Sequence, residues 1–248
     1  MMRNLTKAGL AALALALSSA PSVAQRGASA PNTLSARERA AGWTLLFNGR
    51  DLTGWRSFKG GAPTPSWVVR DGALELTASG GHMSGADLAT AESYGPFELT
   101  LDWKVETGGN SGVIYLARNV PETTQSYETG LEMQVLDDQG HPDGKIPSHR
   151  AGSLYDITVP PAGVSRPAGS WNHARLLVEP GRIRQWLNGV PTADVSYGDA
   201  AWKARVAKSK FAKMPLYGTF TSGVIALQDH GEPVAFRNIK LRKIGATR

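Results

Sequence analysis

FELTLDWKV, residues 97–105, is the stretch of this 248-residue chain that decides its fold. Apolar side chains occupy every second position from Phe97 to Val105, and polar side chains stand between them. Successive side chains of a β-strand point to opposite faces of a sheet. The pattern therefore predicts a strand with one face in a core and one face toward solvent.

Shorter runs of the same kind follow one another from Trp43 onward, punctuated by turn signals such as Asp71-Gly72 and Asn188-Gly189. The predicted strands cover residues 44–47, 67–70, 73–77, 97–106, 111–118, 130–136, 173–179, 182–187, 223–228 and 234–243. One short helix is predicted at about 199–209, and residues 35–41 can form another. Many short strands without strand–helix alternation predict an all-β sandwich or jelly roll.

Two connections are longer than a sandwich needs, at about 137–170 and 190–222. Connections of this length usually line a site or are disordered. The first carries His141, His149 and Tyr155, so it is the better candidate for a site wall.

The N-terminus predicts export. Arg3 and Lys7 precede an apolar run at residues 8–17, and Ser22-Val23-Ala24 resembles a cleavage site. The run is shorter than the roughly 20 residues that span a bilayer. We therefore expect a signal peptide at 1–24, a flexible leader at 25–42 and a periplasmic or secreted protein without a membrane anchor.

Composition excludes several chemistries. The chain has no cysteine, so disulfides, thiolate nucleophiles and cysteine metal sites are absent. Its formal net charge is +6, with many basic residues at 203–213. These are not interleaved with aromatic residues as in nucleic-acid grooves, so a solvated helix face is expected and no nucleic-acid partner.

Two predicted strands carry polar side chains on the face opposite their apolar, core-facing side chains. Glu132 and Gln134 alternate with apolar residues in one, and Gln228 and His230 do so at the end of the other. A carboxylate in mid-strand needs a partner, a solvent-filled cleft or a function. These side chains therefore predict a site on one face of a sheet.

Other residues near these strands admit two interpretations. Asn110 either caps a turn or joins the site, and Arg118 is expected at the sheet rim, where it could bind an oxygen. Asp137-Asp138 is either a turn or part of an acidic cluster with Glu132. These three acids could act with His141 and His149 as general acids and bases or as ligands of a divalent metal ion.

Several sequence blocks resemble the 3-keto-disaccharide hydrolase domain family, formerly domain of unknown function 1080. They are LFNGRDLTGW at 46–55, YGPFEL at 94–99, GNSGV at 109–113, GLEMQVLD at 130–137, PAGSWN at 167–172, WLNG at 186–189, IALQDHG at 225–231 and FRNIK at 236–240. The resemblance implies a concanavalin-like jelly roll over residues 43–244. It departs at Leu131, where many members have Tyr.

The resemblance also implies cleavage of glycosides oxidised at C3, by removal of the C2 proton, β-elimination of the C1 substituent and hydration. It makes Glu132 and His149 the candidates for proton abstraction or for metal ligation. The expected substrate-binding residues are Asn110, Arg118, Gln134, Tyr155, Gln228 and His230. An upstream sugar 3-dehydrogenase would supply the keto sugar.

Two other functions fit the sequence. A non-catalytic, lectin-like carbohydrate-binding module could use the same fold, although it would more typically show an open aromatic platform. A conventional glycoside hydrolase would be expected to show closely spaced acids on one strand, and Glu132 with Asp137 does not match that spacing.

Overall fold

The computed structural model describes residues 30–78 and 86–245. Within them the helices are α1 (Ala36–Ala40) and α2 (Ala200–Val206). The strands are β1 (Thr44–Leu45), β2 (Trp55–Ser57), β3 (Trp67–Arg70), β4 (Ala73–Leu76), β5 (Leu88–Thr90), β6 (Phe97–Val105), β7 (Asn110–Ala117), β8 (Leu131–Leu136), β9 (Asn172–Glu179), β10 (Arg182–Leu187), β11 (Val190–Ser196), β12 (Val224–Leu227) and β13 (Val234–Lys243).

The strands form two antiparallel sheets. The larger has the order β11-β10-β9-β6-β13-β4-β3, with β1 paired to β13. The smaller has the order β2-β5-β12-β7-β8. The predicted all-β jelly-roll sandwich is therefore confirmed. Residues of both long connections lie beside the smaller sheet.

The alternation of β6 places its apolar side chains in the core. Phe97, Leu99 and Leu101 are fully buried, and Trp103 and Val105 are at most 2% exposed. They pack in one cluster with Val113, Tyr115, Met133 and Val135 from the smaller sheet. Burial of this much apolar surface between two sheets is the main stabilising contribution to the fold.

Three strands were not predicted from the sequence: β2, β5 and β11. The first two have only three residues each, too few for alternation to be visible. β11 contains Pro191 and lies at the edge of its sheet, where a missing N–H is tolerated. The second long connection therefore begins after Ser196 rather than at 190.

Residues 30–42, within the predicted leader, contact the sandwich. The backbone N–H of Asn32 donates to Asn238 at 2.6 Å, and Lys240 forms an ion pair with Glu38 of α1 at 2.6 Å. The domain bounds stay predictions, and the signal peptide lies outside the described residues. No helix among the described residues is long and apolar enough to cross a membrane.

Candidate functional site

A polar pocket of about 300 Å³ lies on the smaller sheet, on the face turned away from the core. Its wall contains six of the residues predicted from the sequence: Asn110, Glu132, Gln134, Tyr155, Gln228 and His230. It also contains Tyr127, Lys210 and Met214, which the sequence did not indicate. The volume is at the lower end of the roughly 300–1,000 Å³ of small-molecule sites.

Strand register brings the polar residues together. β7 pairs with β8 so that Ile114 lies opposite Glu132 and Gly112 lies opposite Gln134. A Cβ at Gly112 would collide with the Glu132 carboxylate. The absence of a side chain at Gly112 of β7 thus leaves the space in which the Glu132 carboxylate lies.

Glu132 is a buried carboxyl group at the base of the pocket, with 4% of its surface exposed. Burial raises the pKa of Glu132 to about 7; the charge of Lys210 opposes this, and the charges of Asp87 and Asp143 add to it. In one orientation of its side-chain amide Gln134 donates to Asn110 Oδ1 at 3.2 Å, and in the reversed orientation it donates to Glu132 Oε1 at 3.1 Å. A carboxyl group with a pKa near 7 can gain or lose a proton at neutral pH.

This pKa predicts a pH-dependent stability difference between the wild type and Glu132→Gln. The folded chain keeps the proton of Glu132 up to about pH 7, whereas the ordinary pKa of 4.5 applies after unfolding. The contribution of Glu132 to stability is therefore full below pH 4.5 and is lost as pH rises through 7. Relative to the variant, the wild type should lose roughly 3 kcal/mol of unfolding free energy across this window. Urea unfolding of both proteins at a series of pH values measures it, and a constant difference would contradict it.

Tyr155 links the pocket to the first long connection. Its hydroxyl donates to Asp143 Oδ2 at 3.1 Å and lies 3.3 Å from His149 Nδ1. The pKa of Tyr155 is raised far above its ordinary value by burial and by the charge of Glu132. Tyr155 is therefore a neutral hydroxyl at every physiological pH.

His149 lies behind Tyr155 rather than in the pocket wall. The two rings are 4.4 Å apart between centroids, and His149 Nε2 is 3.2 Å from Asp156 Oδ1. Its Nδ1 is 3.4 Å from Asp143 Oδ2. His149 thus packs against Tyr155, and it is not among the residues that line the pocket.

A metal held jointly by Glu132 and His149 does not fit this arrangement. Both ring nitrogens of His149 already face oxygen partners, in Asp156 on one side and in Asp143 and Tyr155 on the other. Across residues 30–78 and 86–245, no three His, Asp or Glu side chains form a group that could hold a metal ion. We therefore derive no chemical step through a metal.

Lys210 comes from the second long connection. Its backbone N–H donates to Asp156 Oδ2 at 2.7 Å, which fixes the turn that carries it. The ammonium group lies 4.0 Å from the centroid of the Tyr155 ring and forms no ion pair with a carboxylate of the described residues. The basic segment expected to be a solvated face thus places one cation over the pocket.

His230 and Gln228 line the pocket from the segment that follows β12. His230 Nδ1 is 3.0 Å from Glu232 Oε2, and its Nε2 is 3.2 Å from Asn110 Nδ2. If Nδ1–H donates to Glu232, Nε2 accepts from the Asn110 amide. Gln228 is held by its backbone N–H, which donates to Gly112 O at 2.9 Å.

Arg118 is not brought to the pocket. Its guanidinium donates to Ser222 O and Ser222 Oγ, at 3.0 and 2.8 Å, and lies over Phe220. The cause is a bulge in β7: Leu116 has a φ of +56°, and the pairing with β12 shifts register there. The alternation that predicted the direction of Arg118 is therefore broken two residues before it.

Sequence reasoning missed Tyr127, Lys210 and Met214. Each lies outside the strands, in a connection whose path alternation does not predict. Lys210 and Met214 did lie in a connection noted for its length, and that length was the available signal.

The fold and this pocket define the class of the chain: a jelly-roll β-sandwich with a polar pocket on one sheet, a scaffold that serves sugar binders and sugar-cleaving enzymes. A solved structure from Bacillus subtilis, described as having a galectin-like fold, shares this architecture. Its TM-score is 0.51 at 13% identity, covering 87% of this chain and 95% of that one. This likeness concerns the fold alone.

The chain belongs to the 3-keto-alpha-glucoside-1,2-lyase-like domain family, whose model matches residues 42–242. It is 32% identical over 228 residues to a 3-keto-disaccharide hydrolase of Bacteroides thetaiotaomicron, covering 82% of this chain and 79% of the relative. A Parabacteroides distasonis structure, provisionally named a glycosyl hydrolase, has a TM-score of 0.80 at 34% identity, covering 87% of this chain and all of that one. The resemblance found in the sequence is confirmed.

Proposed function

We propose that the chain cleaves glycosides and disaccharides whose sugar ring carries a ketone at C3. The observation that carries the proposal is Glu132, a buried carboxyl group at the base of a sugar-sized pocket with a pKa of about 7. The name of the Bacteroides relative, a 3-keto-disaccharide hydrolase, supports this substrate class.

Proton abstraction is the first step. The C3 ketone acidifies the C2 proton, and the Glu132 carboxylate removes it. The electron pair moves onto the C3 oxygen as an enolate, which the ammonium group of Lys210 stabilises by charge and hydrogen bonding. A base is most effective when its pKa lies near the working pH, as that of Glu132 does.

Elimination and hydration complete the reaction. The enolate collapses, the C1–O bond breaks, and the leaving oxygen takes a proton with the help of Tyr155 or His230. Water then adds its hydroxyl to C1 of the unsaturated sugar and gives its proton to the residue that protonated the leaving oxygen, and protonated Glu132 returns its proton to C2. The sum is one glycoside plus one water giving one keto sugar and one alcohol.

The remaining wall residues bind the sugar. Asn110, Gln134 and Gln228 present amide groups that can pair with ring hydroxyls. His149 holds Tyr155 in place through the contact between their rings and the hydroxyl. Arg118 has no role in this scheme because its guanidinium is engaged at Ser222.

An ordinary glycosidase mechanism is less well supported. It uses two carboxyl groups that flank the scissile bond. Among the described residues, Glu132 is the carboxylate in the pocket wall. A purely sugar-binding role would not require a buried acid that titrates near neutrality.

Export and substrate supply are part of the proposal. The predicted signal peptide at 1–24 would place the enzyme in the periplasm or outside the cell. A sugar 3-dehydrogenase would have to act first, because the substrate must carry the ketone.

The test compares one disaccharide with its 3-keto derivative, using the purified protein with and without a chelator. We expect cleavage of the keto form alone, at a rate that the chelator does not change. Cleavage of the unoxidised sugar at a similar rate would overturn the proposal, as would binding of the keto form without cleavage.

A further inference from the structure

A second cavity, of about 470 Å³, adjoins the polar pocket. It lies between α2, the segment that follows α2 and the turn between β9 and β10. Nothing in the scheme above uses it.

Aromatic side chains form much of the wall of this cavity. Phe211 stacks on Tyr217 with ring centroids 3.8 Å apart, and Tyr217 stacks on Trp202 at 6.2 Å. Tyr197 packs against Trp202 at 5.1 Å. All four side chains are buried, so the wall is rigid and preformed.

The chemistry of this wall differs from that of the polar pocket. Among the described residues that line it there is no carboxylate, side-chain amide or imidazole; its charged residue is Lys203. A sugar ring bears a hydroxyl on most of its carbons, and the hydroxyls of Thr219 and Thr221 could pair with only a few of them. A flat apolar group would instead gain contact with the apolar wall, which includes Val206, Ala207 and Met214.

The two cavities share a boundary. Met214 lines both, and the consecutive residues Lys210 and Phe211 line one each. Phe211 also packs edge-on against Tyr155 of the polar pocket, with centroids 6.4 Å apart. A methionine at the boundary can adapt to a ligand that passes it, because its side chain is unbranched and flexible.

We propose that the aromatic cavity is a binding site for the leaving group of the glycoside, and that it accepts an aromatic aglycone. This rests on the proposed cleavage of 3-keto-glycosides in the polar pocket. The keto sugar lies against Glu132, and the group on C1 extends past Met214 into the aromatic cavity. The preferred substrates are then glycosides of aromatic alcohols rather than disaccharides.

The kinetic test uses 3-keto-glucosides of 2-phenylethanol and of methanol, whose leaving alcohols have similar acidity. We expect kcat/KM to be higher for the phenylethyl substrate by about tenfold or more, from burial of its ring. Ala207→Trp fills the cavity from an exposed position in its wall. This variant should lose the preference while cleaving the methyl substrate as the wild type does.

Ala204→Trp is the matched control. Ala204 is exposed on the same helix but lines a different cavity, so the preference should survive there. A preference that also survives in Ala207→Trp would overturn the proposal. So would a greater loss in Ala207→Trp for a 3-keto-disaccharide than for the phenylethyl substrate, since that would assign the cavity to a sugar.

A binding measurement separates this proposal from the proposed reaction. In calorimetric titration with the unoxidised glucosides, 2-phenylethyl glucoside should bind about tenfold tighter than methyl glucoside. Ala207→Trp should remove the difference. Equal binding of both glucosides to the wild type would overturn the aromatic site even if keto-sugar cleavage is found. Conversely, tighter binding of 2-phenylethyl glucoside by a protein that cleaves no 3-keto-glycoside would support the aromatic site and refute the proposed reaction.

Discussion

Glu132→Gln is expected to lower kcat on a 3-keto-glycoside by a factor on the order of 10³, within the usual range for removing a general base. The amide has nearly the shape of the carboxyl group but cannot accept the C2 proton. Binding should change little, because the polar wall stays intact. Steady-state kinetics, with circular dichroism to show that the fold is kept, measures this.

The matched control is Glu122→Gln, the same change at an exposed position outside the pocket. It should leave kcat unchanged. Turnover in Glu132→Gln within about threefold of the wild type would remove Glu132 from its role, since a general base is worth at least about a hundredfold.

Lys210→Met is expected to lower kcat by a factor on the order of 10², as found when one stabilising group is removed from a developing oxyanion. Methionine keeps much of the length and apolar character of the lysine stem. The charge that stabilises the enolate is lost.

The same substitution should also move the pH profile. The charge of Lys210 lowers the pKa of Glu132, so its removal should raise that pKa above about 7. The acidic limb of kcat/KM should then shift to higher pH, because more alkali is needed to ionise the base. A merely structural lysine would not cause this shift.

Lys213→Met provides the comparison, because Lys213 is exposed in the same turn but does not line the pocket. Its kinetics should match the wild type in rate and in pH dependence. If Lys210→Met lowers kcat with no movement of the acidic limb, Lys210 does not act beside Glu132 as proposed.

The sequence by itself determined the sandwich and much of the site. Alternation in β6 is a local property, because each side chain's face follows from its position in the strand. The same rule put Glu132 and Gln134 on one face of β8. Since polar groups on that face were not needed for the core, their common direction predicted a site that the pocket in the structure contains.

Tertiary structure alone decided which other residues reach that site. The bulge at Leu116 turned Arg118 away, and alternation cannot foresee a bulge. Packing of the first long connection put His149 behind Tyr155 instead of in the pocket. The second connection carried Lys210 there through its backbone hydrogen bond to Asp156. The path of a connection depends on contacts between residues that are distant in the sequence, and these contacts cannot be inferred from the alternation of side chains along a strand.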